Sequence, residues 1–284
     1  MQVVDLHTDT LHKLAGISVQ SGDPCVTAEA LDNGNVKHIC FAFFCGVNPE
    51  AEVQRLNVQR QMEVFKSLGN KIGSCTPHAA IEGLDFATPE VLTCLINDCS
   101  PVYATLTWNH TAGICGSCIE DFPLTNWGKG MVRLLEANGV RPDLSHAGQK
   151  AFFSVFDNAE APIVTHSCAS AITPHRRNLT DEQIRLMIRR NSLLGINFYS
   201  DFCGGTIQSL VRHVLHILDL GGEDILAIGS DFDGCSSLPE GLASPSDFPM
   251  LYQSLEKHNV PIYIIEKIFH KNACDKLGFN YQNK

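Results

Sequence analysis

Two rhythms of apolar and polar positions run through this chain. Short apolar runs recur, and between them lie longer stretches in which apolar residues return every three or four positions. The runs read as buried strands and the longer stretches as amphipathic helices. Strands are predicted at Gln2–Thr8, Val36–Phe44, Ile72–Ile81, Val102–Trp108, Val140–Ser145, Pro162–Thr165, Leu193–Phe198 and Ile225–Ser230. Helices are predicted at Pro49–Leu68, Pro89–Asn97, Thr125–Asn138, Gly148–Asn158, Thr180–Arg190 and Ile207–Leu220, with a last one over Tyr252–Leu277 broken by Pro261. Thr180 and Gln183 form a capping box, and Gly221-Gly222 is a helix stop.

Strands that alternate with helices at this spacing imply parallel β-α-β units. Eight of them in 284 residues predict an α/β fold, a single (β/α)8 TIM barrel over residues 1–284. The alternative is an open doubly wound sheet, but no glycine-rich G-x-G-x-x-G follows any strand.

The barrel reading gives meaning to where the metal-ligand residue types fall. His7 and Asp9 end the first predicted strand, Glu82 follows the third, His146 closes the fifth, His166 the sixth and Asp231 the eighth. Strand alternation would put His7 and Asp9 on one face. Alone, that pair reads equally as a buried His-Asp hydrogen bond. A barrel, however, gathers all these strand ends at one rim, where active sites of this fold sit. Six candidates exceed what one zinc needs. Two ions fit better: His7 and Asp9 hold one, His146 and His166 the other, and Glu82 bridges at roughly 3.5–4 Å.

Composition narrows the partners. A formal charge of −10 with no Lys/Arg cluster argues against nucleic acid. No run approaches the ~18 apolar residues of a membrane span, and no secretory signal is visible, so a cytoplasmic protein is expected. The twelve cysteines then read as reduced thiols. Cys115 and Cys118 form a lone C-x-x-C, too little for a structural zinc site. His213 and His216, three apart on a predicted helix, read as outer-helix residues rather than ligands.

The segments D-L-H-T-D, I-E-G, A-T-L-T-W-N, D-L-S-H, T-H-S, H-R-R-N (His175–Asn178), I-N-F-Y (Ile196–Tyr199) and G-S-D-F-D-G resemble, in order, those of the renal (membrane) dipeptidase family of zinc metallopeptidases. That resemblance implies two Zn2+ ions per chain held by His7, Asp9, Glu82, His146 and His166. It further implies a dipeptide substrate, Asp231 as proton carrier beside the bridging Glu82, Arg177 gripping the substrate carboxylate, and a homodimer. Tyr199 and Gly234 are expected to line the substrate pocket, with Gly234 allowing a tight turn. Two departures stand out. Trp108 occupies the place of a histidine that polarises the scissile carbonyl, leaving His110 to face the same way if the strand continues. The secretion and lipid-anchor signals of eukaryotic members are also absent.

The expected chemistry is hydrolysis of a dipeptide by a metal-bridging hydroxide, with Asp231 moving the proton and Asp233 as its backup. Another amidohydrolase activity on a lactone, N-acyl amino acid or small amide would use the same metals, and a turnover-deficient metal-binding protein is the non-enzyme alternative. Arg176 and Arg177 are local basic residues that serve something smaller than nucleic acid, with ordinary surface charge as the alternative.

Overall fold

A computed structural model of the chain describes residues 1–17, 22–48, 50–109 and 113–281. Its framework is eight parallel strands: β1 (Val3–Thr8), β2 (Val36–Phe44), β3 (Thr76–Glu82), β4 (Tyr103–Thr105), β5 (Arg141–Asp143), β6 (Val164–Ser167), β7 (Leu194–Ile196) and β8 (Leu226–Ile228). They lie in the order β5-β4-β3-β2-β1-β8-β7-β6. Ile163, just before β6, closes the ring. Its N–H donates to Pro142 O and its carbonyl accepts from Leu144 N–H, both at 2.9 Å. The protein is therefore a (β/α)8 barrel, as the alternation of patterns predicts.

The main outer helices are α3 (Ala51–Leu68), α4 (Pro89–Cys99), α5 (Asn126–Ala137), α6 (Gln149–Phe156), α7 (Asp181–Arg189) and α9 (Ile207–Asp219). Short helices α1 (Thr10–Leu14) and α2 (Ala28–Asn33) follow β1, and α8 (Ser200–Cys203) follows β7; none shows enough periodicity to be predicted. The capping box at Thr180 is formed, and Gly221 (φ 93°) ends the chain's run through α9. The last predicted helix divides into α10 (Phe248–Lys257), α11 (Ile262–Glu266) and α12 (Asn272–Leu277), with a π-helical turn at Lys267–Lys271. Pro261 sits at the start of α11, where its missing N–H costs nothing.

Two cores result. Val4, Leu6, Cys40, Ala80, Tyr103, Ile163, Leu193 and Ala227 fill the barrel, which Phe279 and α12 plug from below. A larger layer fills the space between strands and helices. The third strand begins later than the pattern suggests, because Ile72 and Cys75 pair across a tight turn before it. Its end shifts accordingly, so Glu82 is its last residue rather than the one after it.

Candidate metal centre

Glu82 ends β3 with its carboxylate at the barrel mouth, almost fully buried. Its two oxygens face different partners. Oε1 lies 2.9 Å from His146 Nε2 and 3.7 Å from His166 Nε2, while Oε2 lies 3.7 Å from His7 Nε2. On the far side His7 Nε2 is 3.9 Å from both Asp9 Oδ1 and Asp231 Oδ1. His146 Nε2 and His166 Nε2 approach to 3.1 Å. All six residues named from strand-end positions thus converge.

They arrive by different routes. His166 lies within β6, whereas His146 and Asp231 come three residues after β5 and β8, on the loops. His7 and Asp9 do not converge by simple alternation. β1 slips register against β2 between Asp5 and Thr8, and Asp9 has already left the strand (φ −100°, ψ 21°) as the cap of α1. Asp231 takes a left-handed backbone conformation (φ 62°), and its Oδ2 accepts from Asn197 Nδ2 at 3.0 Å.

Electrostatics follow from gathering three acids in a dry place. Burial, then the Asp9 and Asp231 charges, raises the Glu82 carboxyl well above its usual range. Burial, then Asp231, does the same to Asp9. Burial lifts Asp231 to about 6. The histidines move the opposite way. Burial drives His7 down to about 3 and takes His146 and His166 well below their ordinary value. Neutral imidazoles and mutually repelling carboxylates are a donor set for cations, whose charge would reverse the cost of assembling them.

Three observations test that fit. His7 Nε2 and Asp9 Oδ1 are buried without a hydrogen-bond partner. The ligand atoms of His7, Glu82 and His166, and those of His7, Asp9 and Asp231, lie within 4.8 Å of one another. Finally, a Cβ on Gly234 would collide with Asp9 Oδ2 and Asp231 Oδ1, so only glycine leaves the cradle between them open. Two other buried acids show the contrast. Asp5 is saturated by Ser230 and the His7 N–H, and Asp143 by Thr105, Ser145 and Thr165, so both serve the backbone around the centre.

Above the centre lies a cavity of about 360 Å³ whose lining includes Asp9, Glu82, Trp108, Asn109, His146, Arg177, Tyr199, Asp231 and Gly234. Arg177 is buried, with Nη1 and Nη2 at 3.4 and 3.3 Å from Ser167 Oγ and His166 O and its guanidinium over the Phe202 ring. Arg176 is exposed but also lines the mouth. His175, named in the H-R-R-N segment but given no role there, accepts from the Arg177 N–H through Nδ1 and lines the same wall. Trp108 stands in the loop three residues beyond β4, against Phe44 and His146. A second cavity of about 220 Å³ opens beside the first, sharing Asp9, Phe44, Trp108 and Gly234 and adding Ile17 and Val47.

Several expectations change. His110 lies outside the described residues. Asp233 cannot back up Asp231, because Thr10 Oγ1, Lys13 Nζ and the Cys25 and Val26 N–H groups all donate to its carboxylate. His213 lies on the outer helix α9, as expected, but on its inward face: it is fully buried, accepting from the Ala169 N–H through Nδ1 and meeting Thr173 Oγ1 through Nε2. His216 pairs with Asp181 at 2.8 Å, away from the centre. All twelve cysteines are free; Cys118 lines the cavity while Cys115 is buried. Among the described residues no helix is long and apolar enough to cross a membrane.

A family model for membrane dipeptidase, peptidase family M19, matches residues 98–275, a stretch carrying β4 to β8 and the start of α12. An uncharacterized protein from the pqqA 5′ region of Klebsiella pneumoniae is 32% identical over 158 residues, covering 52% of this chain and 58% of that one. Dipeptidase tcpJ of Claviceps purpurea is 29% identical over 223 residues, covering 75% and 51% respectively. The chain spans about half the length of the curated relatives it matches. A metallo peptidase from Rhodobacter sphaeroides, solved with a phosphinate mimic of the dipeptide L-Ala-D-Ala, shares the fold with a TM-score of 0.88 over 99% of both chains at 21% identity. The chain belongs to the membrane dipeptidase family, peptidase family M19.

Proposed function

We propose that this protein is a dipeptidase that uses two Zn2+ ions to hydrolyse the peptide bond of small dipeptides, acting in the cytoplasm. The observation that carries the reading is the Glu82 carboxylate, which offers one oxygen to His146 and His166 and the other to His7 beneath a cavity walled by Arg177. His7 and Asp9 would hold one ion, His146 and His166 the other, and Glu82 both. Bound there, divalent zinc acidifies water and polarises a carbonyl oxygen.

The remaining steps belong to the chain. Arg177 supplies a planar cation at one wall, suited to a free carboxylate. With that end anchored, the scissile bond of a dipeptide reaches the floor formed by Glu82 and Asp231. Asp231, steadied by Asn197 and 3.9 Å from His7 Nε2, is the carboxylate placed to accept a proton and return it to the leaving amine. Trp108 and Phe44 make the adjoining wall apolar. The dipeptide mimic bound to the Rhodobacter sphaeroides protein supports the same substrate class.

The test is metal analysis of the purified protein together with a panel of L-L and L-D dipeptides. Zinc-dependent release of free amino acids is expected. Zinc-loaded protein that cleaves none of them but opens a lactone overturns the assignment.

A further inference from the structure

Tyr103 opens β4, yet its hydroxyl crosses the barrel interior to β1, two strands beyond its neighbour β3. There it meets two groups at 2.8 Å: the Leu6 carbonyl oxygen and His7 Nδ1. Tyr103 and His7 are both fully buried, so no water competes. A phenol has one proton. The Leu6 oxygen can only accept, and two oxygens 2.8 Å apart with no proton between them would repel. The phenol proton therefore goes to Leu6, and the phenol oxygen accepts from His7 Nδ1–H. That leaves the lone pair of His7 on Nε2, the atom that faces Glu82, Asp9 and Asp231 without a partner.

We propose that Tyr103 is a positioning residue that fixes the tautomer and ring orientation of His7, so that Nε2 is presented unprotonated to a metal ion. Which nitrogen of a histidine ligates is set by the bond its other nitrogen makes, and loss of such a partner costs 10–100-fold in metal affinity. The dry core makes the effect strong here, because no solvent can replace the phenol. The proposal rests on the metal part of the proposed function but not on the substrate.

The test combines two measurements. In the metal-free wild type, nitrogen-15 spectroscopy of the imidazoles, with His7 assigned by the resonance missing in His7→Gln, should find the neutral ring protonated at Nδ1. This needs no Tyr103 variant. In Tyr103→Phe, checked for native near-UV circular dichroism, that signature should give way to a mixture of tautomers. Competition with a chromophoric chelator should then show one zinc bound 10–100-fold more weakly. A His7 ring protonated at Nε2 in the wild type overturns the proposal. So does a folded Tyr103→Phe protein with unchanged tautomer and zinc affinity. Wild-type protein that binds no zinc overturns the metal reading of the whole site instead, which the spectroscopic arm keeps distinct.

Discussion

Gly234 and Asp9 are separated by 225 positions in sequence, yet a single carbon added to Gly234 would overlap the Asp9 carboxylate. The same carbon would meet Asp231 Oδ1. Gly234 is therefore a spatial requirement of the centre. Gly234→Ala is expected to keep the barrel, because the crowded atoms lie at the mouth and not in either core. It should still lose zinc, measured as stoichiometry after dialysis. A variant retaining two zinc ions per chain would show that the cradle has slack.

Asp231 is assigned the proton. Asp231→Asn keeps the size and the contact with Asn197 but removes the basic site. Turnover should fall by about 10²–10⁴-fold while zinc content holds. Unchanged kcat at full metal loading would remove the residue from the chemistry.

Arg177 is expected to read the substrate's free carboxylate. Arg177→Ala should reduce kcat/KM on dipeptides by on the order of 10²-fold, since charged hydrogen bonds carry roughly 1.5–3 kcal/mol. C-terminally amidated substrates should be nearly unaffected. Equal losses on both would mean that the guanidinium serves only Ser167, the His166 carbonyl and Phe202.

The second cavity lies on the β1–β2 side of the mouth, opposite the loop after β6 that carries Arg177. A dipeptide anchored by its carboxylate would direct its amino-terminal side chain there. Phe44, Trp108, Ile17 and Val47 favour an apolar one. Val47→Trp should lower kcat/KM for Phe-Gly by roughly 10-fold and leave Gly-Phe alone. A uniform change across both would separate this chamber from substrate selection.

His213 supplies a pH test away from the centre. Burial takes its pKa down to about 4, against about 6.5 in an unfolded chain. The folded protein thus binds fewer protons than the unfolded one between those values. The contribution is complete above pH 6.5 and is lost as pH falls towards 4, on the order of 3 kcal/mol over the window. Urea unfolding of wild type and His213→Gln should show a gap that narrows from pH 7 to pH 4.5. A constant gap would mean that His213 titrates alike in the folded and unfolded chains, and that the Ala169 N–H does not hold its ring neutral.

What the linear order of residues determined is the barrel and the six side chains that meet at its mouth. Both rest on local regularities: apolar runs the length of a strand, helices between them, and acids and histidines placed where each run stops. Those regularities survive in one dimension because each element buries its face in the same direction. The tertiary structure alone decided how the members meet. The slip of β1 against β2, the turn that carries Asp9 off the strand, and the split of Glu82's two oxygens depend on contacts between distant segments. The same holds for Asp233, whose carboxylate is consumed by Thr10, Lys13 and the chain at Cys25 and Val26. It holds equally for Tyr103, which reads in sequence as one more apolar strand residue. Its hydroxyl finds His7 only when the sheet closes, because the direction of a hydrogen bond is settled by the partner across the barrel and not by the neighbours along the chain.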